Sequence, residues 1–595
     1  MERTSWCEKD GSLRVFYFML VALRFLFPYF VQNGYLYPDE FFQSSEIMAR
    51  DVLQINSTVT WEWNKAFPVR SPISAFLTSG IPFWVLKLLS KFVHLPSYSI
   101  LIIPRIYMTL MSLLSFDIPV YIISQRLKLK PFYCLFLLST SYVTHVFATR
   151  PFSNTLETGV FGILLVLLTY PKNKQLSTSS SKDMPEVNYM PIYKCILTGS
   201  FTSLGVFCRQ TFLVFGFVPF LGYLIGELEK QDQKLQIVRR SVLMAIGFLV
   251  STLIFVLLDS WYFGYLQHGN IVLTPWNFIK YNTLQSHSHG HHPFFIHFLV
   301  NIPLLFGPLA FLFYFKLTSL LLGRICGSNQ FETYKNVPDM ENKKQYKLFL
   351  MLCIFVPVLI LSFIPHQEPR FIMPVLLPMV MLFSSEVVDL KYSSTIFMSW
   401  SIWNVIGYIF FGILHQGGVL PSLLHLNKVI NQKVESSTQL YCHHVVYFHT
   451  YMPPTHLLAW PNNVVLNGHK LYVHDLAGSS QEQFDRTMSK LKTDYCVENT
   501  NMVYIVYPDT VKNAVQFNNQ VINTVKFFPH LTMEDPPNLH QHVTDLIFIT
   551  NIFNTSNATS TMNILTIGKA YWNHICCQLE KLKDKLSLNL YITQF

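Results

Sequence analysis

Residues 15–31 read VFYFMLVALRFLFPYFV and carry a single charge, Arg24. About 20 apolar residues cross a bilayer as a helix, so this run reads as a transmembrane segment. The basic flank of Arg3, Lys9 and Arg14 predicts a cytosolic start. No small-residue cleavage site follows, so the run reads as a retained anchor.

The rest of the chain has the same character. Only 13% of residues are charged while 51% are hydrophobic and 15% aromatic, against about 25% charged for soluble domains. Further apolar segments lie near 73–93, 98–123, 131–149, 155–171, 193–208, 210–227, 241–258, 294–321, 348–364, 371–387 and 393–414. The basic stretches 227–240 and 324–347 fit the cytosol. The stretches 34–72, 259–293 and 365–370, and everything after about 415, then face the opposite side. A cytosolic start and a luminal end need an odd number of crossings, so about 11 transmembrane helices are expected, with one short segment between 73 and 227 re-entrant or fused to its neighbour. Gly80, Pro82, Pro104 and Pro119 interrupt several helices, which bundles tolerate when neighbours satisfy the freed backbone groups. The net charge of +10 is spread over cytosolic loops, as positive-inside topology requires, so nucleic acid is not an expected partner.

Residues 415–595 differ. NMVYIVYP (501–508), DLIFITNIF (545–553) and SLNLYITQF (587–595) read as strands separated by turns such as MEDPPN (533–538). They predict a small α/β domain in the lumen, with residues 1–414 forming the transmembrane catalytic part and its luminal loops 34–72 and 259–293. Cys442, Cys496, Cys576 and Cys577 fall in this domain, where an oxidising compartment permits a disulfide. The glycosylation sequons at Asn56, Asn554 and Asn557 lie on the same expected side. Residues 176–186 read as a polar cytosolic loop.

Polar clusters mark the luminal helix ends. Directly after the first span comes YLYPDEFFQ (35–43). Asp39 and Glu40 there are a helix-start signature and equally a candidate general base among aromatic residues. Trp61 and Trp63 offer aromatic faces of the kind that stack on sugar rings. PHQEPRF (365–371) sets His366, Gln367, Glu368 and Arg370 at a membrane boundary. Arg370 is suited to a phosphate, with His366 adding a hydrogen bond, and the bland alternative is a Glu368–Arg370 pair. His287, His289, His291, His292 and His297 lack the ordered spacing of a helix metal site, so no metal is expected and the segment reads as a loop near a substrate entrance. Arg105, Arg150 and Arg209 lie near membrane level, where charges are paired or used. Asn154 and Glu157 are the expected partners of Arg150.

Taken together, YPDEFFQS (37–44), TWEW (60–63), TRPFSNTLE (149–157), DSWYFG (259–264) and HQEPRF (366–371) resemble the dolichyl-phosphate-mannose-dependent mannosyltransferases of the endoplasmic reticulum, glycosyltransferase family 22 of the GT-C class. HQGGVLPS (415–422), HTYMPPTHLL (449–458) and FFPHLTMEDPP (527–537) are most similar to the branch that adds a fourth mannose to the GPI anchor precursor. The resemblance implies a polytopic α-helical membrane protein of GT-C fold in the endoplasmic reticulum. It implies a dolichyl-phosphate-mannose donor, a GPI glycolipid acceptor, an α-1,2 linkage and inversion in one displacement without a cofactor. It assigns the base to Asp39, an orienting or substituting role to Glu40, donor-phosphate contacts to His366 and Arg370, and substrate contacts to Trp61, Trp63, Gln367 and Glu368. Many members have His before the Pro-Asp-Glu, where this chain has Tyr37. The rival readings are a family member acting on the third GPI mannose or on the N-glycan precursor, a polytopic transporter, which should show paired charges mid-helix and inverted repeats, and a non-catalytic subunit of an assembly in the same membrane.

Overall fold

The computed structural model describes residues 2–30, 32–93, 96–169, 190–228, 234–284, 292–325, 338–388, 394–462, 465–493, 500–515, 521–537 and 580–594. Among these, six helical stretches are long and apolar enough to cross a membrane: Gly11–Phe30, Pro72–Leu89, Tyr98–Arg126, Leu235–Tyr262, Pro369–Val388 and Ser394–Leu414. Seven shorter apolar helices of 10–17 residues accompany them. The protein is a polytopic α-helical membrane protein with a small C-terminal sheet. Each expected apolar segment is helical over most of its length. One of them, 294–321, is two helices, because Gly307 takes φ +47° ahead of Pro308. A Cβ there would lie 2.4 Å from the Trp403 ring, so both the backbone and the space at this break require glycine.

The prolines interrupt the helices less than their number suggests. The stretch Tyr98–Arg126 runs on through Pro104 and Pro119, with a single wide turn at Leu113–Asp117 just before Pro119. A second wide turn, Phe76–Gly80, precedes Pro82. These turns absorb the residue whose N–H is missing without ending the helix.

A mid-helix ion pair, which the sequence did not lead us to expect, holds the first span. Arg24 reaches Asp117 through two nitrogens, at 2.9 and 3.2 Å, and Tyr17 donates to the same carboxylate at 2.9 Å. Both charges are buried. With both carboxylate oxygens occupied, the pair is a closed structural clamp.

The C-terminal sheet runs in the order β2-β3-β1-β4-β6-β5, with β1 Tyr441–Tyr447, β2 Val465–Leu466, β3 His469–Asp475, β4 Thr500–Pro508, β5 Val521–Phe527 and β6 Leu588–Gln594. The strands β3, β1 and β4 are parallel neighbours, and the crossover from β3 to β4 passes through the helix Gln481–Thr493. That helix covers one face with Phe484, Met488 and Leu491. The helix Val419–Ser436 covers the other with Val419, Leu423, Leu426 and Ile430, so β1 is buried along its whole length. The expected strands at 501–508 and 587–595 are β4 and β6, whereas 545–553 lies outside the described residues, as do 176–186, Cys496, Cys576 and Cys577. Cys442 is disulfide-bonded.

Backbone bonds tie the sheet to the bundle at one end. Gly34 N–H donates to Gly412 O at 2.9 Å and Tyr35 N–H to His415 O at 2.8 Å. Gly34 allows this approach, since a Cβ would lie 2.4 Å from Phe411 O. Leu531 N–H donates to Leu414 O and Gln416 N–H to Leu531 O, both at 2.9 Å.

Two buried histidines make this end acid-sensitive. Burial, then His469, His444 and Lys433 nearby, pushes His443 down to about 3. Burial, then His415, pushes His530 down to about 3. Unfolded histidine titrates near 6.5, so both stay neutral in the fold and take a proton on unfolding. Their contribution is complete above about pH 6.5 and falls as the pH drops toward 3. At pH 5 each removes about 2 kcal/mol of stability relative to neutral pH. Limited proteolysis of the sheet region should therefore speed up between pH 7.5 and pH 5, and an unchanged rate would contradict this assignment.

Candidate active site

The chain leaves the first span, turns at Pro38 and starts a short helix, with Phe41 N–H donating to Pro38 O at 3.0 Å. Successive residues of a helical turn point about 100° apart, and this separates the two adjacent acids. Glu40 points into the bundle and has no exposed surface. Arg105 donates to one carboxylate oxygen at 3.1 and 2.7 Å, and Arg150 donates to the other at 2.8 Å. Arg105 also donates to Gln32 O at 2.7 Å. The expected pairing of Arg150 with Asn154 and Glu157 is therefore corrected. Arg150 lies before Pro151, outside the helix Ser153–Leu168, and turns back to Glu40. Glu157 instead takes Arg209 Nε at 3.3 Å and the Thr211 hydroxyl at 2.5 Å.

Asp39 points the other way, and its side chain is 29% exposed. One carboxylate oxygen, Oδ2, accepts from Gln43 Nε2 and pairs with Arg370 Nη1, each at 2.5 Å. Oδ1 has no partner among the described residues. Arg370 also holds Glu368, which accepts from His366 Nε2 at 2.8 Å. The segments 35–43 and 365–371, more than 300 positions apart, thus close on each other through Asp39–Arg370–Glu368–His366. The Glu368–Arg370 pair read from the sequence is part of that chain. Burial alone would raise the Glu368 carboxyl, but the Arg370 guanidinium and His366 hold it well below the usual carboxylate range. The Arg370 guanidinium lies over the Tyr37 ring at 4.7 Å. Burial, then the Glu368 carboxylate, pushes the Tyr37 hydroxyl up, so Tyr37 stays neutral.

Other expected contacts divide. Trp61 is half exposed and stacks on Tyr281 at 4.2 Å, leaving an aromatic surface near the site. Trp63 is buried and donates to Phe42 O at 3.0 Å, so it braces the loop and offers no face to a sugar. Gln367 is likewise buried. It donates to Ser362 O at 2.9 Å and accepts from His297 N–H at 3.1 Å, which makes it a staple of its own loop. His292 and His297 serve the same region, His292 Nδ1 accepting from Gln367 N–H at 3.0 Å and His297 meeting Asn301 at 2.9 Å. No group of three metal-ligating side chains occurs among the described residues, and His287, His289 and His291 lie outside them. Asn56 is partly exposed, its N–H bonded to Trp460 O at 2.7 Å, whereas Asn554 and Asn557 lie outside the described residues.

Several neighbours of the site escaped the sequence reading. Gln43 stands four residues after Asp39, a helical spacing that signals the contact. Arg70 pairs with Glu62 at 2.8 Å, beside Gln43, and nothing in the sequence marks that pair. Asp259 of DSWYFG accepts from Ser71 at 2.7 Å and Thr274 at 2.5 Å, fixing the 34–72 loop to the end of the helix Lys234–Tyr262. Glu46 is buried against His456, at 2.9 Å, and Thr455. It ties the turn bearing Asp39 to the segment 449–458, whose Tyr451 packs on Tyr35 at 5.6 Å.

Residues 15–458 match the Alg9-like mannosyltransferase family. The chain is 33% identical over 554 residues to the GPI alpha-1,2-mannosyltransferase 4 of Homo sapiens, covering 90% of this chain and 92% of that protein. It is 30% identical to the GPI mannosyltransferase 4 of Drosophila melanogaster, covering 76% of this chain and 73% of that one. Among solved structures, ArnT from Cupriavidus metallidurans bound to undecaprenyl phosphate aligns with TM-score 0.48 at 13% identity, over 86% of this chain and 96% of that one.

The two acids should separate by stability. Glu40→Gln leaves two buried guanidiniums short of charge and should cost about 3–5 kcal/mol. Asp39→Asn, at a partly exposed pair, should cost about 1 kcal/mol or less. Melting temperatures of the purified variants check this, and an equal or greater loss for Asp39→Asn would contradict it.

Proposed function

The chain belongs to the Alg9-like mannosyltransferase family, and on that premise we propose that it transfers mannose from dolichyl-phosphate-mannose to the third mannose of the GPI anchor precursor. The new linkage is α-1,2, and the β-linked donor is inverted in one displacement. The similarity to GPI mannosyltransferase 4 proteins, which for the human one spans about nine-tenths of both chains, favours this reading over a third-mannose or N-glycan enzyme.

The observation that carries the chemistry is the half-occupied carboxylate of Asp39. Its Oδ2 is held by Arg370 and Gln43, which fixes the group, while Oδ1 stays open. Oδ1 takes the proton of the acceptor hydroxyl as that oxygen attacks the anomeric carbon. The bond from that carbon to the phosphate oxygen breaks, and the electron pair leaves with the phosphate. A positioned base of this kind contributes roughly 10²–10⁴-fold. Arg370 and His366 stand on the donor side. Glu40 is the anchor of the turn, and Trp61 lines the sugar path. The active site lies in the lumen of the endoplasmic reticulum, a reading supported by the Cys442 disulfide and by the partly exposed Asn56 sequon, which is proposed to be glycosylated. A transporter is disfavoured by the match of residues 15–458 to a mannosyltransferase family.

Microsomes lacking the endogenous activity, supplied with this protein, labelled dolichyl-phosphate-mannose and a three-mannose GPI lipid, should yield a four-mannose product sensitive to α-1,2-mannosidase. No such product would refute the assignment. A product resistant to that mannosidase would refute the linkage.

A further inference from the structure

Arg370 stands between two carboxylates, those of Asp39 and Glu368, so this trio carries one net negative charge. The leaving phosphate of a lipid-linked sugar gains negative charge as its bond to the sugar breaks, and a site that speeds this step must meet that charge with oriented donors. Arg370 by itself is a poor candidate, because its charge is already shared by two acids.

A second guanidinium lies beside it. Arg209 sits over the Phe371 ring at 5.1 Å, and Arg370 lies 5.6 Å from the same ring. Arg209 is buried, with a side chain 6% exposed. Its Nη1 donates to Ser153 Oγ at 3.1 Å and lies 3.4 Å from Asn154 Oδ1. Its Nε faces Glu157 at 3.3 Å, a longer separation than that of the Glu40 pairs, and Glu157 also accepts from Thr211. Nη2 has no partner among the described residues. Ser153 and Asn154 open the helix Ser153–Leu168 and are buried. Neither of their backbone N–H groups has an acceptor among the described residues, although buried N–H groups are nearly always bonded. The end of the helix that carries them has the positive sense of the helix dipole. This corner adjoins the base, because Ser153 Oγ donates to Gln43 Oε1 at 3.3 Å, Gln43 holds Asp39, and Asn154 Nδ2 donates to Arg370 O at 3.1 Å.

We propose that Arg209, together with the first turn of the helix Ser153–Leu168, binds the phosphate of the lipid-linked donor, with Arg370 serving mainly to position Asp39. This rests on the mannosyl-transfer reading above and names the binding group on its donor side. Arg209 Nη2 and the two N–H groups meet the phosphate oxygens, and the charge released on bond cleavage falls between Arg209 and the helix end.

The test uses the full-length protein in nanodiscs and farnesyl phosphate as the probe. Arg209→Gln should weaken binding about tenfold or more, and Arg209→Lys, which keeps the charge and loses the fork, about threefold. Glu157→Gln should bind at least as tightly as the wild type, since it frees Arg209. If Arg209 only braces Glu157, both residues' variants weaken binding alike, or neither does, and either outcome overturns the proposal. If Arg209→Gln does not fold, Arg209→Lys against Glu157→Gln decides. A wild type that binds the probe but transfers no mannose would sink the mannosyl-transfer reading and leave this site standing.

Discussion

Glu40 lies with no exposed surface between the guanidiniums of Arg105 and Arg150. Such a charge is tolerated away from water only when its partners saturate it. Those partners come from two separate segments, the helix that carries Arg105 and the turn that carries Arg150, and Arg105 further reaches Gln32 O at the end of the first span. The triad therefore fixes where the turn 38–46 sits in the bundle. Asp39, one residue earlier, is presented outward by that same turn. The position of the candidate base is thus set by a buried charge cluster directly behind it.

From the other side, Asp39 is held by Arg370, and Arg370 by Glu368. The segment 365–371 is in turn stapled by Gln367 to Ser362 and His297. Glu46 and His456 then join the same turn to the C-terminal sheet region. His449, at the start of the segment 449–458, pairs with Asp535 at 2.6 Å, so the stretches 449–458 and 527–537 meet. In this arrangement the turn bearing Asp39, the segment 365–371 and the segment 449–458 form one connected set.

The apolar spans were legible because hydropathy and loop charge are local quantities. The closure of 35–43 on 365–371 was partly legible, since charged residues at a membrane boundary demand partners. Which partner each would find was not. Asp39 and Glu40 are neighbours in sequence, yet a helical turn sends them to opposite environments. Trp61 and Trp63 diverge in the same way, one half exposed and one buried. Arg150 met Glu40 because Pro151 placed it outside the following helix, a consequence of chain direction that residue spacing does not carry. Arg24 was visible as a lone charge in the first span, but its partner Asp117 sits 93 positions away, beyond any local pattern.

The separation of roles between Asp39 and Glu40 is tested most directly by mannosyl transfer normalised to the amount of folded protein. Asp39→Asn should fold and lose about a hundredfold or more of the wild-type rate per folded molecule. Glu40→Gln should give less folded protein, with each folded molecule retaining most of the rate. The contradicting result is the reverse: full turnover by folded Asp39→Asn, or folded Glu40→Gln that is inactive.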